Sequence, residues 1–173
     1  MSVSMYQIAV PSFQKHLHAL DGIIDKAAAY AAARKITPET LLTARLCPDM
    51  FNFTRQVQES CKFAALTAQR LANIDVPAEA DGEKTFDDLK ARIARTLEVL
   101  AAVKPEQMDG SQDRPLTIKV GPNEMSFSGL DYLLHFAMPN FFFHLAMAYG
   151  ILRHNGVDLG KRDFMGAVPG MSA

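Results

Sequence analysis

The stretch "PNFFFHLAMAYGILRHNGV", residues 139–157, decides the fold. It is nearly all apolar, yet it carries Pro139, Asn140 and His144. Asn140 and His144 are one helical turn apart, so they share a face. Leu133, Phe136, Met147 and Ile151 fall within about 40° of Asn140 at 100° per residue. The other side is apolar too, with Phe142, Leu145, Ala146, Tyr149 and Leu152. A helix apolar all round must be covered on both sides. A helical bundle covers one. A second subunit, the hairpin described next, or the tail through Phe164 and Met165 must cover the other. This helix is expected from about Leu130 to Asn155, with Gly156 as its stop and Arg153 and His154 in the last turn. Residues 132–152 also have the length of a membrane span. His135, Asn140 and His144 are costly in lipid, so a buried helix of a bundle is the expectation, with no membrane partner.

Working outward, Phe13, Leu17, Leu20, Ile24, Ala27 and Ala28 predict a first helix over about 5–34, which tolerates Pro11 near its start. Thr37 precedes Pro38 as the cap of a short helical turn. A second long helix is expected from near Pro48 to about Asn73. Its inner stripe is Met50, Phe53, Thr54, Val57, Cys61, Ala64, Ala68 and Leu71. Thr85 and Asp88 form a capping box for a third, faced by Leu89, Ile93, Leu97 and Leu100 and ended by Lys104-Pro105. The segment "PLTIKVGPNEMSFSG" alternates instead. It predicts a small β-hairpin, with Leu116, Ile118 and Val120 on one side, a turn over 121–124 and a return strand over 125–127. The tail from Val157 is expected to run extended over the surface. The fold class is all-α: a four-helix bundle with a small β-hairpin between helices three and four.

The 173 residues suffice for one domain with a sizeable core and are short for two, so residues 1–173 are read as one helical domain. Apolar residues make up 49%, which excludes disorder. The net charge of −1 and the lack of a basic stripe argue against nucleic acid. The first residues lack the pattern of a signal peptide. Cys47 and Cys61 on one helix would stand roughly 21 Å apart, too far to bridge. A reduced, cytoplasmic protein is the expectation.

Two readings of His144 stay open at this level. It is a metal ligand or general base in an inter-helix pocket, with Asn140 as second ligand or orienting amide. Alternatively it is a core histidine bonded to a facing polar group. Asn140 then serves a backbone carbonyl freed by Pro139, that of residue 135. His135 falls on the opposite face, His154 caps the helix end, and only one of His16 and His18 can face inward. Tyr132 and Tyr149 are read as packing residues with wet hydroxyls. Arg55, Gln56 and Gln58 are polar among apolar neighbours; exposed surface is their expected role, with room for one of the three to turn inward toward His144.

These segments, with "LCPDMFNFTRQVQ" and "FSGLDYLLHFAMPN", resemble a bacterial family of unknown function. That family is similar to the DinB/YfiT-like bundles, a superfamily described as candidate metalloenzymes. The resemblance covers nearly the whole chain and implies a four-helix bundle, commonly a homodimer. In the wider superfamily a histidine on the second helix and a histidine pair on the fourth hold the metal. The run Arg153, His154, Asn155, Gly156 and Val157 fits the ending that follows the pair. His144 then matches the second histidine of the pair, Asn140 stands for the first, and Arg55 or Gln56 stands near the place on the second helix. One ligand of three is kept, so tight binding of a divalent zinc or nickel ion is not expected. The implied function is a small-molecule site around Asn140 and His144, with Gln56 and Arg55 opposite and His144 as the catalytic acid/base. A transferase or hydrolase reaction fits such a site. The alternative is a non-catalytic binding or stress-related interaction protein.

Overall fold

The structure is a computed structural model that describes residues 4–168. Helix α1 spans Met5–Arg34 and opens on a capping box between Ser4 and Gln7, with Pro11 inside it. α2 is the short Pro38–Leu42. α3 spans Phe53–Ala72, α4 spans Phe86–Ala102, and α5 is the single turn Pro105–Met108. A two-stranded antiparallel sheet follows, β1 (Pro115–Val120) against β2 (Asn123–Ser128). The last long helix is continuous but not uniform: α6 (Gly129–Asp131), a π-helical stretch over Tyr132–Ala137, then α7 (Met138–His154). α8 is Lys161–Met165.

α3 lies between α7 and α4, and α1 closes the bundle against α4 and α7. The apolar stripes meet in one core, in which Phe13, Leu17, Phe53, Leu71, Leu89, Tyr132 and Phe141 are buried. Phe13 of α1 meets Phe141 of α7 edge to face, with ring centroids 4.8 Å apart. The hairpin docks through Phe127, which lies against Tyr132 and Phe136. Ile118 is its one buried apolar side chain on β1; Leu116 is half-buried and Val120 exposed.

Several boundaries differ from expectation. α3 begins at Phe53 rather than near Pro48, because Asn52 accepts the Arg55 N–H and fixes the N-cap there. Arg45 holds the preceding loop by donating to the carbonyls of Pro48 and Met50, so Met50 lies outside the helix. Thr37 sits at the N-cap of α2, but its hydroxyl meets that of Thr40 instead of a backbone N–H. The hairpin turn is tighter than 121–124: Val120 pairs with Asn123, and Gly121 supplies the positive φ of 59° that a two-residue loop needs.

The tail is also not extended. α8 packs on α1, and Phe164 sets its ring against Tyr149 at 5.9 Å and His16 at 6.2 Å. Its apolar Phe164 has a surface to bury, and Gly160 donates its N–H to Asp163 to start the turn. Residues 169–173 of that tail lie outside the described residues. Phe142 packs edge-on against His16 at 4.8 Å. The far face of α7 is thus covered by α1 and α8 of the same chain.

Candidate functional site

The site grows from a local problem in backbone bonding. Pro139 has no N–H, so a regular α-helix through it would strand a carbonyl one turn earlier. The π stretch shifts the ladder by one residue ahead of Pro139, and the Met138 N–H bonds to the Leu133 carbonyl. The side chain of Asn140 then donates to the carbonyl of Phe136 at 2.7 Å, not to that of residue 135. Asn140 is therefore turned along its own helix, away from an inter-helix role.

His144 is one turn on and faces α3. Residues 56–61 of α3 are all buried, although they include Gln56, Gln58, Glu59 and Ser60. Buried polar groups need partners. The Gln56 amide donates from Nε2 to the carbonyl of Phe51 at 3.2 Å. Its Oε1 lies 2.8 Å from His144 Nδ1. A backbone carbonyl only accepts, so the amide nitrogen belongs on the Phe51 side and the oxygen on the imidazole side. An amide oxygen also only accepts, so Nδ1 carries the proton and Nε2 the lone pair. Nε2 has no hydrogen-bond partner among the described residues and is not one of the sealed polar atoms, so solvent reaches it.

His144 is 8% exposed. It lies nearly parallel to Phe63 at 5.7 Å and to Phe51 at 6.3 Å, with Phe143 edge-on at 5.3 Å. Burial pushes the His144 pKa below its ordinary value; Glu59 pulls it up, and Arg55 and Lys62 add to the fall. A neutral imidazole at pH 7 is the result.

Arg55 stands beside this pair rather than in it. It pairs with Glu59 and Asp81 and covers the Phe51 ring at 5.5 Å. Gln58, taken for surface by its type, is buried and donates to Glu83 at 2.7 Å. Glu83 also accepts from Arg92 at 2.9 Å. Burial pushes the Glu83 and Asp81 carboxyls up, but Arg92 with Gln58, and Arg55 with Arg92, outweigh it and hold both below the usual range. Through these groups residues 74–84 form a strap over α3 and α4. Sequence reasoning missed this cluster; its signal was the acidic run Glu79, Asp81, Glu83 facing Arg92 and Arg95 on α4. Tyr132 was expected to keep a wet hydroxyl, yet it is buried and accepts from Arg70 at 2.8 Å. His135 and His154 are exposed, and His16 is the half-buried member of its pair.

The donor set does not fit a metal ion. His144 Nδ1 is committed to Gln56, Asn140 is committed to Phe136, and an amide is a weak ligand for zinc or nickel. Among the described residues no group of three or more His, Cys, Asp or Glu side chains could hold a metal ion. Cavities open elsewhere: about 530 Å³ between α3, α4 and the strap, and about 670 Å³ beside Arg70 and Arg114. Among the described residues no helix is long and apolar enough to cross a membrane.

A comparison with functionally curated proteins gives no match. Among solved structures, the crystal structure of a DinB family member protein from Shewanella denitrificans is similar. It is 35% identical, covers 98% of this chain and 96% of its own, and superposes with a TM-score of 0.88. That likeness carries the DinB-like bundle as the fold of this chain. The family model described as a domain of unknown function, DUF1993, matches residues 5–165, and the chain belongs to that family.

Proposed function

We propose that the bundle binds a small molecule at the α3–α7 seam, with His144 Nε2 accepting a proton from a ligand O–H, N–H or S–H. The observation that carries this reading is the chain from the Phe51 carbonyl through Gln56 to His144 Nδ1, which leaves Nε2 as a free base. Phe51, Phe63 and Phe143 offer ring surface to a flat ligand. In a transfer or hydrolysis reaction the proton of the attacking hydroxyl, thiol or water goes to Nε2. The nearby Glu59 carboxylate favours the imidazolium so formed. Gln56 positions the ring, and Arg55 holds Phe51 and Glu59 in place. No metal step is part of this reading.

4-Nitrophenol tests it against 4-nitroanisole, which lacks the hydroxyl. The phenol binds more tightly, and His144→Phe removes the difference. Equal binding of the two, or a preference that survives His144→Phe, contradicts the reading. The non-catalytic alternative has one observation in its favour: Asn140 and Arg55 spend their polar groups inside the protein. It predicts that the phenol binds but that no ester or thiol-transfer substrate turns over.

A homodimer belongs to the same proposal. The face first expected to need a partner is covered by α8. Phe143 (51% exposed) and Phe51 (49%), both against His144, are left open to solvent. Sedimentation at micromolar concentration should give twice the chain mass of 19.1 kDa, and Phe143→Glu should return it to one chain. A single-chain mass for the native protein rejects the dimer. Both cysteines are free, as a reducing cytoplasm would leave them.

A further inference from the structure

The seam at His144 is on one side of α3; a separate cavity of about 530 Å³ lies on the other, roofed by the strap. Its volume is that of a small-molecule site. Ala65, Leu66, Val76 and Val99 give it apolar walls. Buried Cys61 and Thr96 also line it, and burial pushes the Cys61 thiol up to about 12, so that wall is uncharged.

The polar end is unusual. Arg92 lines the cavity at 3% exposure, and its Nε–H is a sealed donor with no hydrogen-bond partner. Its Nη1 is already taken by Glu83 and Asp81, at 2.9 and 3.1 Å. Glu79 of the strap comes closest to serving Nε: one oxygen accepts from Arg95 at 2.5 Å, and the other stands 3.5 Å from Arg92 Nε without bonding it. The Glu79 side chain is 30% exposed on a segment without helix or strand. A carboxylate from the strap thus half-fills a position where two guanidinium groups converge. An amine ligand finds no open counter-charge there, since Glu79, Asp81 and Glu83 are each paired to an arginine. The rim adds one charge of each sign, Lys62 and Glu98.

We propose that this cavity binds a small monocarboxylate with an apolar body, whose carboxylate replaces that of Glu79 between Arg95 and Arg92. The apolar body lies along Leu66, Val76 and Val99. A carboxylate held by two guanidinium groups is a charge-assisted contact that an alcohol cannot match.

Decanoate is the probe, measured by displacement of anilinonaphthalene sulfonate, with decanol and decylamine as controls. Decanoate should displace the dye at a concentration on the order of tenfold below either control. Glu79→Gln removes the competing carboxylate from a partly exposed position and should tighten decanoate by about two- to fivefold. Val99→Trp should abolish displacement with helicity kept. If that variant does not fold, Glu79→Gln decides alone. Decanol as effective as decanoate, or decanoate binding that Glu79→Gln leaves unchanged or weakens, overturns the proposal.

Discussion

His144 and Gln56 are both polar on largely buried helix faces, and one bond across the α3–α7 seam joins them, with the Gln56 amide also donating to Phe51 and His144 Nε2 left open. The pairing was open in the sequence because either Arg55, Gln56 or Gln58 was placed to turn inward. The choice follows from the buried α3 stripe of Phe53, Val57, Ser60 and Ala64, on which Gln56 falls. Asn140 could not be read the same way, since the carbonyl it serves depends on the π stretch before it. Glycines give a sharper residue-scale test. A Cβ on Gly129 would lie 1.9 Å from the Ser111 carbonyl oxygen, whereas one on Gly22 meets nothing within 4 Å. Gly129→Ala should cost at least about 2 kcal/mol, because backbone must move. Gly22→Ala, inside α1, should stabilise by about 0.5–1 kcal/mol. Denaturant titration of the two variants checks both signs.

At the scale of elements, the long helices were legible because each buries a stripe at helical spacing. Ile151 illustrates it: expected beside His144, it is fully buried. Ile151→Ala should cost on the order of 2–5 kcal/mol by thermal or denaturant unfolding. A loss near that of a surface change, about 0.5 kcal/mol, contradicts the packing of α7. Phe136 and Met147, on the same stripe and expected in the same core, are only half-buried. The helical tail was not legible. α8 is five residues long, too short for a periodic pattern, and its order comes from docking Phe164 on Tyr149 and His16. The strap was unreadable for a related reason: its ion pairs join residues far apart in sequence, such as Arg55 with Asp81.

For the whole molecule, the buried histidines link stability to pH. Burial holds His144 below its ordinary value of 6.5, and burial does the same for His16, against Ser12, which raises it, while Lys15 adds to the fall. The unfolded chain therefore binds protons first, so stability rises with pH in this window. It is full above the ordinary histidine value and is lost as pH falls through the folded values. Chemical unfolding between pH 7.5 and 5 should show this loss, and His16→Asn with His144→Gln should flatten it. A slope unchanged in the double variant assigns it elsewhere. The α3–α7 seam holds a neutral imidazole with Nδ1–H and a basic Nε2. Long-range proton–nitrogen NMR of His144 at pH 7 tests it most directly. Nδ1 should show the shift of a protonated nitrogen and Nε2 that of a bare one, and Gln56→Leu should mix the two. A proton on Nε2, or on both nitrogens, would rule out this tautomer and the free base at the seam.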